Sequence, residues 1–269
     1  MILKYKAFTD KGTRKENQDS YEVKIFDADA SVRLMDRGEI FIIADGMGGQ
    51  KAGKKASREA CRRIVDGYFN PDNEFFCPEE NPDQFEAMLK NLFHSVNQIL
   101  YDQGRSDTDL AGWGTTASML VILKNKWFFV HAGDTRIYLL NSNGARLLTE
   151  DHNVAFQMYQ FGKKTYEEYQ QGKGHNKLLS YMAQGEGISI LTGHGECDPK
   201  DIFLLCTDGL NQFVEFKEME TLATDMWKTH PDDFLEAFFD CLKNDRIKLD
   251  LAEDNVSFLM VGRELIIDN

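Results

Sequence analysis

Residues 3–9, LKYKAFT, alternate apolar and polar with the two-residue period of a half-buried strand. Residues 10–20, DKGTRKENQDS, are polar throughout and read as a loop. Residues 21–26, YEVKIF, and 32–35, VRLM, are further strand candidates. The apolar run Ile40-Phe41-Ile42-Ile43-Ala44 predicts a buried strand that ends at an acid, Asp45, followed by Gly46, Gly48, Gly49 and Ala52. A helix is predicted from near Ala52, because Ala56, Ala60, Cys61, Ile64, Val65 and Tyr68 share one helical face. A second, stronger helix is predicted from Asp83 to about Tyr101. Phe85, Met88, Leu89, Leu92, Phe93, Val96, Ile99 and Leu100 carry its apolar period, and Asp83 with Glu86 reads as a capping box.

Beyond the polar loop 103–114 the pattern turns to strands at Thr115–Leu123, Trp127–Ala132 and Arg136–Leu140. Their short connections predict an antiparallel meander, and Asn143-Gly144 a hairpin into Ala145–Leu148. Residues 150–187 are only weakly periodic and rich in Gln, Tyr, Gly and His, which predicts a helical insertion on the edge of the domain. Ile188–Leu191 reads as a short strand and Asp201–Thr207 as a buried one ending at Asp208-Gly209. Helices are expected at 217–228 and 232–243, the second starting at Pro231, and a last strand at Asn255–Gly262. With no internal repeat and no linker, the chain reads as one domain over 1–269. Its class is layered α+β, with helices outside and antiparallel sheets inside.

Charge and cysteine usage narrow the function classes. The net charge of −13 argues against non-specific nucleic-acid binding and against adhesion to anionic membranes. The cysteines Cys61, Cys77, Cys197, Cys206 and Cys241 are odd in number and show no CxxC spacing, which disfavours a disulfide framework or structural zinc. MILKYKAF has no signal-peptide pattern, and the apolar runs are far too short to span a bilayer. A cytoplasmic protein is expected.

The candidate chemistry lies where apolar strands meet acids. Asp45 and Asp208 each precede a glycine, and Asp254-Asn255 stands just before the last strand. Taken singly, each is read most plainly as a turn. If the three strands are neighbours, however, the carboxylates converge at one rim of the sheets, where they cannot all ionise in a dry site. A hard divalent cation would resolve that conflict, and oxygen-only ligands suit Mg2+ or Mn2+. Arg14 in the first polar loop offers a planar fork of donors that matches phosphate oxygens.

Six segments occur in one order: RKENQDS at 14–20, ADGMGG at 44–49, GTT at 114–116, HAGDTRIYLL at 131–140, LCTDGL at 205–210 and EDNVSFLMV at 253–261. Together they resemble the metal-dependent protein phosphatases of the protein phosphatase 2C type, the PPM family, and especially its bacterial branch. The resemblance spans about residues 5–263. It implies a four-layer α-β-β-α sandwich with two central, mainly antiparallel sheets. It also implies a flap subdomain at about 150–187 and hydrolysis of phosphoserine and phosphothreonine by metal-activated water.

Residue by residue, Asp45 takes the place of the aspartate bridging two Mn2+ or Mg2+ ions, and Gly46 that of the glycine whose carbonyl binds one of them. Asp208 and Asp254 match the other ligands of the first ion, and Asp19 an acid that holds water on a metal. Asp109 matches a ligand of a third, weaker site, shared with Asp208. Arg14 matches the arginine that grips the substrate phosphate; Asp134 and Asn255 match supporting residues. The catalytic set implied is thus Asp45, Asp208, Asp254 and Arg14. Met47 stands where many eukaryotic members have a histidine proposed as general acid. The leaving-group proton then needs another source, for which water near Asp109 is one option. Gln18 replaces an acid often found beside the Asp19 position. The expected partners are phosphoprotein substrates and a cognate serine/threonine kinase or its targets, with no nucleic acid and no membrane, for a monomeric enzyme. The alternative is a pseudophosphatase that keeps the fold and serves as a partner-binding module.

Overall fold

A computed structural model describes residues 2–26, 37–72, 81–170 and 177–264. The expected strand at 32–35 and Cys77 lie outside these residues. Two sheets form the centre. The first has the order β1 (Ile2–Asp10), β11 (Val256–Glu264), β10 (Ile202–Cys206), β7 (Arg136–Asn141) and β8 (Gly144–Leu147). The second runs β2 (Asp19–Lys24), β3 (Glu39–Met47), β5 (Ala117–Leu123), β6 (Lys126–Ala132) and β9 (Leu191–Glu196), with the two-residue β4 (Gly114–Thr115) paired to the end of β3. Among the described residues every strand pairing is antiparallel.

The period of two along each strand divides the core into three slabs. On β3, Phe41 and Ile43 join Leu120, Ile137, Phe203, Leu205 and Leu259 between the sheets. Ile40, Ile42 and Ala44 face the other way, onto helices α1 (Gln50–Tyr68) and α2 (Pro82–Ser106), through Ala56, Ile64, Leu89 and Phe93. On the far side, Leu204, Phe258 and Met260 meet α5 (Phe216–Thr229) and α6 (Phe234–Asp240) through Met219, Ala223 and Phe238. The result is helix, sheet, sheet, helix. Two shorter helices, α3 (Val154–Gln160) and α4 (Tyr166–Gln170), form the expected helical part of the insertion.

Several boundaries differ from the sequence pattern for physical reasons. Helix α2 starts at Pro82, a residue suited to the first helical turn, with Asn81 before it and no side-chain cap. Glu86 is therefore not part of a capping box. Its carboxylate accepts from Thr192 Oγ1 at 2.6 Å and pairs with His194 Nδ1, tying α2 to β9. β9 itself runs later than the expected 188–191, because its sequence LTGHGE lacks an apolar alternation. Gly193 and Gly195 lie flat on the rings of Phe129 and Trp127, where a Cβ would come within 2.6 and 2.5 Å of ring atoms. The final helical stretch begins at Phe234 rather than Pro231, and after Asp240 it widens into a π-turn at Cys241–Arg246.

Candidate active site

β3 does not end at Asp45. It continues through Gly46 to Met47, and the sharp turn into α1 falls on Gly48 and Gly49, whose φ values of 107° and 87° suit glycine. Asp45 therefore sits inside a strand, and the alternation that sends Phe41 and Ile43 between the sheets sends its carboxylate there too. Its direct cross-strand partner is Asp19 on β2. The GTT segment fixes the Asp45 peptide: Thr116 Oγ1 accepts its N–H at 2.9 Å, and Thr115 Oγ1 and the Thr116 N–H donate to its carbonyl, each at 2.8 Å. Gly46 has no room for a side chain, since a Cβ would stand 2.1 Å from the Gly53 carbonyl oxygen.

The opposite sheet supplies the facing acids. β10 stops at Cys206, and a 3-10 turn, Asp208–Gln212, brings Asp208 over the gap between the sheets. Thr207, fully buried, donates from Oγ1 to Asp19 Oδ2 at 2.9 Å and so joins the two sheets directly. Asp254 precedes β11, while Gly209 packs so closely on the Asn255 carbonyl that a Cβ would lie 1.9 Å from it. Asn255 holds the 11–18 loop from beneath. Its Oδ1 accepts from the Gln18 N–H at 2.7 Å, and its Nδ2 donates to the carbonyls of Lys11 and Glu16, each at 3.0 Å. That loop presents Arg14, whose Nη2 lies 2.8 Å from Asp254 Oδ2 and whose Nε donates to the Glu253 carbonyl at 2.7 Å.

A cleft of about 1240 Å³ opens here, lined by Arg14, Asp45, Gly46, Asp134, Asp208 and Asp254 among others, with Asp19 buried behind it. Asp19, Asp45, Asp134 and Asp208 hold protons more tightly than usual. Burial pushes Asp19 up to about 7; hydrogen bonds from Ser257 and Thr207 oppose the shift, and Asp208 and Asp254 add to it. Burial, then the charges of Asp254 and Asp151, push Asp208 up to about 6. Burial raises Asp45 well above the ordinary range, with Asp19, Asp208, Asp134 and Asp254 all contributing, and it raises Asp134 likewise, with Asp208 and Asp151.

The donor set fits divalent cations. Among the described residues no three His, Cys, Asp or Glu side chains close into a ready-made ligand shell. Yet Asp19 Oδ1 and Asp208 Oδ1 are buried with no hydrogen-bond partner, and an acceptor left unmatched at such depth is costly. Oxygen ligands from Asp45, Asp208, Asp254 and Asp19 and a close-packed Gly46 backbone suit Mg2+ or Mn2+ and not zinc.

Not every expected residue joins this group. Asp109 is exposed on the 3-10 turn Thr108–Leu110 and does not line the cleft; the following Gly112–Trp113 backbone packs against Gly48. Met47 lines the cleft and offers no proton. Gln18 also lines it, but its Nε2 is turned to the Gly49 carbonyl at 2.8 Å. His131 is structural: it lies fully buried between Ser118 Oγ and the Glu150 carbonyl, and burial pushes it down to about 3. The sequence reading missed a buried ion pair on the cleft wall. Arg136 Nε and Nη2 donate to the two carboxylate oxygens of Asp151 at 2.9 and 2.8 Å, and the Tyr169 hydroxyl donates to the same carboxylate at 2.7 Å. A cation at the head of the buried strand Arg136–Asn141 is the signal that a counter-charge was required.

Residues 15–253 match the family model described as protein phosphatase 2C. The chain belongs to the protein phosphatase 2C family. It is accordingly a protein phosphatase, a hydrolase acting on phosphoproteins, and enzymes of this family depend on Mn2+ or Mg2+. A serine/threonine phosphatase stp of Listeria welshimeri is 30% identical over 231 residues, covering 86% of this chain and 87% of that one. The crystal structure of the Mycobacterium tuberculosis serine/threonine phosphatase PstP/Ppp is similar, with a TM-score of 0.75 and 24% identity over 98% of this chain and 100% of that one. The catalytic domain of PstP in complex with two manganese ions has a TM-score of 0.71 and 22% identity, over 97% and 98% of the two chains. The four-layer fold expected from the sequence is thus the observed fold of this protein phosphatase 2C member.

Proposed function

We propose that the chain removes phosphate from phosphoserine and phosphothreonine in proteins at the carboxylate cleft between its two sheets. The observation that carries this reading is the cluster of Asp45, Asp208, Asp254 and the orphaned Asp19 oxygen at one seam, beside Arg14. Asp45, the Gly46 carbonyl, Asp208 and Asp254 would hold divalent cations here, with Asp19 supporting water bound to them. Asp109 would serve a weaker third site from its exposed turn. Bound divalent cations supply electrophilic stabilisation of the phosphoryl oxygens and a water acidic enough to attack at neutral pH.

The chain's own groups do the rest. Arg14 binds the non-bridging oxygens, where its guanidinium offsets charge that grows in the transition state. Thr207 keeps Asp19 in place, and the Thr115 and Thr116 hydroxyls fix the Asp45 peptide. Cys61 and Cys206 are poor nucleophiles, because burial pushes both thiols up to about 12.

We take 1–269 as one catalytic domain, with the segment 150–187 as a flap beside the cleft. It acts as a monomer in the cytoplasm on targets of a serine/threonine kinase. Free Cys61, Cys197, Cys206 and Cys241 suit a reducing compartment, and among the described residues no helix is long and apolar enough to cross a membrane. Nothing favours the pseudophosphatase alternative, since Asp45, Asp208 and Asp254 all face the cleft.

The test is hydrolysis of p-nitrophenyl phosphate, abolished by EDTA and restored by Mn2+. Asp208→Asn should lower turnover by about two to three orders of magnitude; near-normal turnover in that variant refutes the assignment. Asp109→Ala should slow turnover while two ions remain bound, and equal loss of metal in both variants refutes a separate third site.

A further inference from the structure

Half of the large hydrophobic side chains exposed among the described residues belong to the insertion: Met158, Tyr159, Phe161 and Leu179. They are not scattered. Val154 lines the cleft wall, and Met158 and Phe161 follow it at i+4 and i+7, which places the three on one face of α3 and its C-terminal residue. Met158 is 40% exposed and Phe161 70%.

The other side of the helix is fixed. Ala155 is fully buried, Asn153 caps the N-terminus by accepting from the Phe156 N–H at 3.0 Å, and Tyr159 stacks on Tyr169 with ring centroids 5.8 Å apart. The adjoining wall is tied to the catalytic framework. The Val154 N–H donates to the Lys177 carbonyl at 3.0 Å, Leu179 N–H to His152 at 2.8 Å, and Met182 N–H to Thr115 at 2.7 Å. An apolar strip that is held in place, open to solvent and continuous with the substrate cleft is a binding surface rather than a stray patch.

We propose that the Val154–Met158–Phe161 strip docks an apolar side chain of the phosphoprotein substrate, so that substrates carry an aliphatic or aromatic residue a fixed distance from the phosphorylated one. This rests on the phosphoprotein phosphatase reading above. Its occupant follows from continuity with the cleft: Val154, Leu178 and Leu179 belong to the lining of the cleft in which the phosphorylated residue would sit, whereas Glu215 and Glu253 make other parts of that lining acidic. Because the strip lies on one wall of the cleft, the docked side chain lies on one side of the phosphorylated residue only.

The experiment uses the Mn2+-loaded enzyme and paired phosphothreonine peptides that carry Leu or Asp at each of the positions from one to six before or after the phosphothreonine. The wild type should favour Leu on one side by about tenfold in kcat/KM, the gain a single well-placed aliphatic contact gives. In Met158→Ser/Phe161→Ser the ratio should fall to near one. Hydrolysis of p-nitrophenyl phosphate, too short to reach the strip, should stay unchanged. A Leu/Asp ratio near one in the wild type, or one that survives in the double variant, overturns the strip. So does a wild-type dimer in sedimentation that the double variant abolishes, because the face then joins two copies of the chain. Failure to hydrolyse both p-nitrophenyl phosphate and every peptide refutes the phosphatase reading instead.

Discussion

Replacing Asn255 by alanine should both destabilise the fold and loosen the loop that carries Arg14. Asn255 is 4% exposed, and its side chain matches the backbone groups of Lys11, Glu16 and Gln18 from below, with the Lys11 carbonyl also accepting from the Arg14 N–H at 3.2 Å. The substitution removes the Asn255 partner from the Gln18 N–H and the Glu16 carbonyl, and leaves the Lys11 carbonyl its Arg14 bond. Each group left unmatched costs about 1–3 kcal/mol when sealed from water. The loop is partly open to solvent, so we expect a total of about 2–4 kcal/mol, toward the lower end of a sealed site. Urea unfolding at constant m-value reads that term directly. Because the same loop presents Arg14, KM for a phosphopeptide should rise more than kcat falls. Asn255→Asp keeps the acceptor for Gln18 but loses both donors and places a new charge beside Asp254, so it should do no better than alanine. A loss below about 0.5 kcal/mol together with an unchanged KM would show that the loop is held by its other bonds, such as Thr13 to Ala252.

Other expectations follow from the same geometry. Thr207→Val removes the donor to Asp19 Oδ2, costs about 1–3 kcal/mol and raises the carboxyl above its position near 7; calorimetric Mn2+ binding should then need a higher pH, and an unshifted pH profile would refute the link. Asp151→Asn leaves Arg136, 1% exposed, without its charge partner, and should cost about 3–5 kcal/mol in urea unfolding. In EDTA, Asp19 and Asp208 bind protons more tightly folded than unfolded, with folded values of about 7 and about 6 against 3.8. Their contribution is complete below about pH 4 and is lost as pH rises through 6 and 7. The melting temperature of the EDTA-treated protein should therefore fall from pH 5 to pH 8, and a rise over that interval would contradict the shifts.

Much of the framework was legible because burial writes itself as a period. Phe85, Leu89, Phe93 and Val96 identified α2 from spacing alone, and the run Ile40–Ala44 marked the strand that carries Asp45. What lay hidden depends on contacts between distant segments. The strand expected at Ile188–Leu191 met β9 only at Leu191, because two residues of β9 are glycines pressed on Phe129 and Trp127, a fit that exists only once β6 is beside it. The acids Asp45, Asp208 and Asp254 stood out as charges beside apolar runs, but their order in space came from strands paired far apart in the chain. Thr207 carried no signal at all: a threonine after a strand is ordinary until Asp19 lies 2.9 Å away. The role given to Asp109 came from family resemblance, and its exposed position on a separate turn shows why spacing could not have supplied it.

The division of the acids between the two sheets has a further consequence. Asp19 and Asp45 ride on one sheet, and Asp208 and Asp254 flank strands of the other. If these acids hold the cations as proposed, a half-assembled chain, with both sheets formed but not yet stacked, would own the right carboxylates and still be unable to chelate. Cation affinity would then be a signature of completed assembly, a clasp that only the finished sandwich could fasten. At a hundredfold excess over its dissociation constant such a clasp adds about 2.7 kcal/mol to the folded state. Cells starved of the metal should lose the protein itself to proteolysis, as well as its turnover.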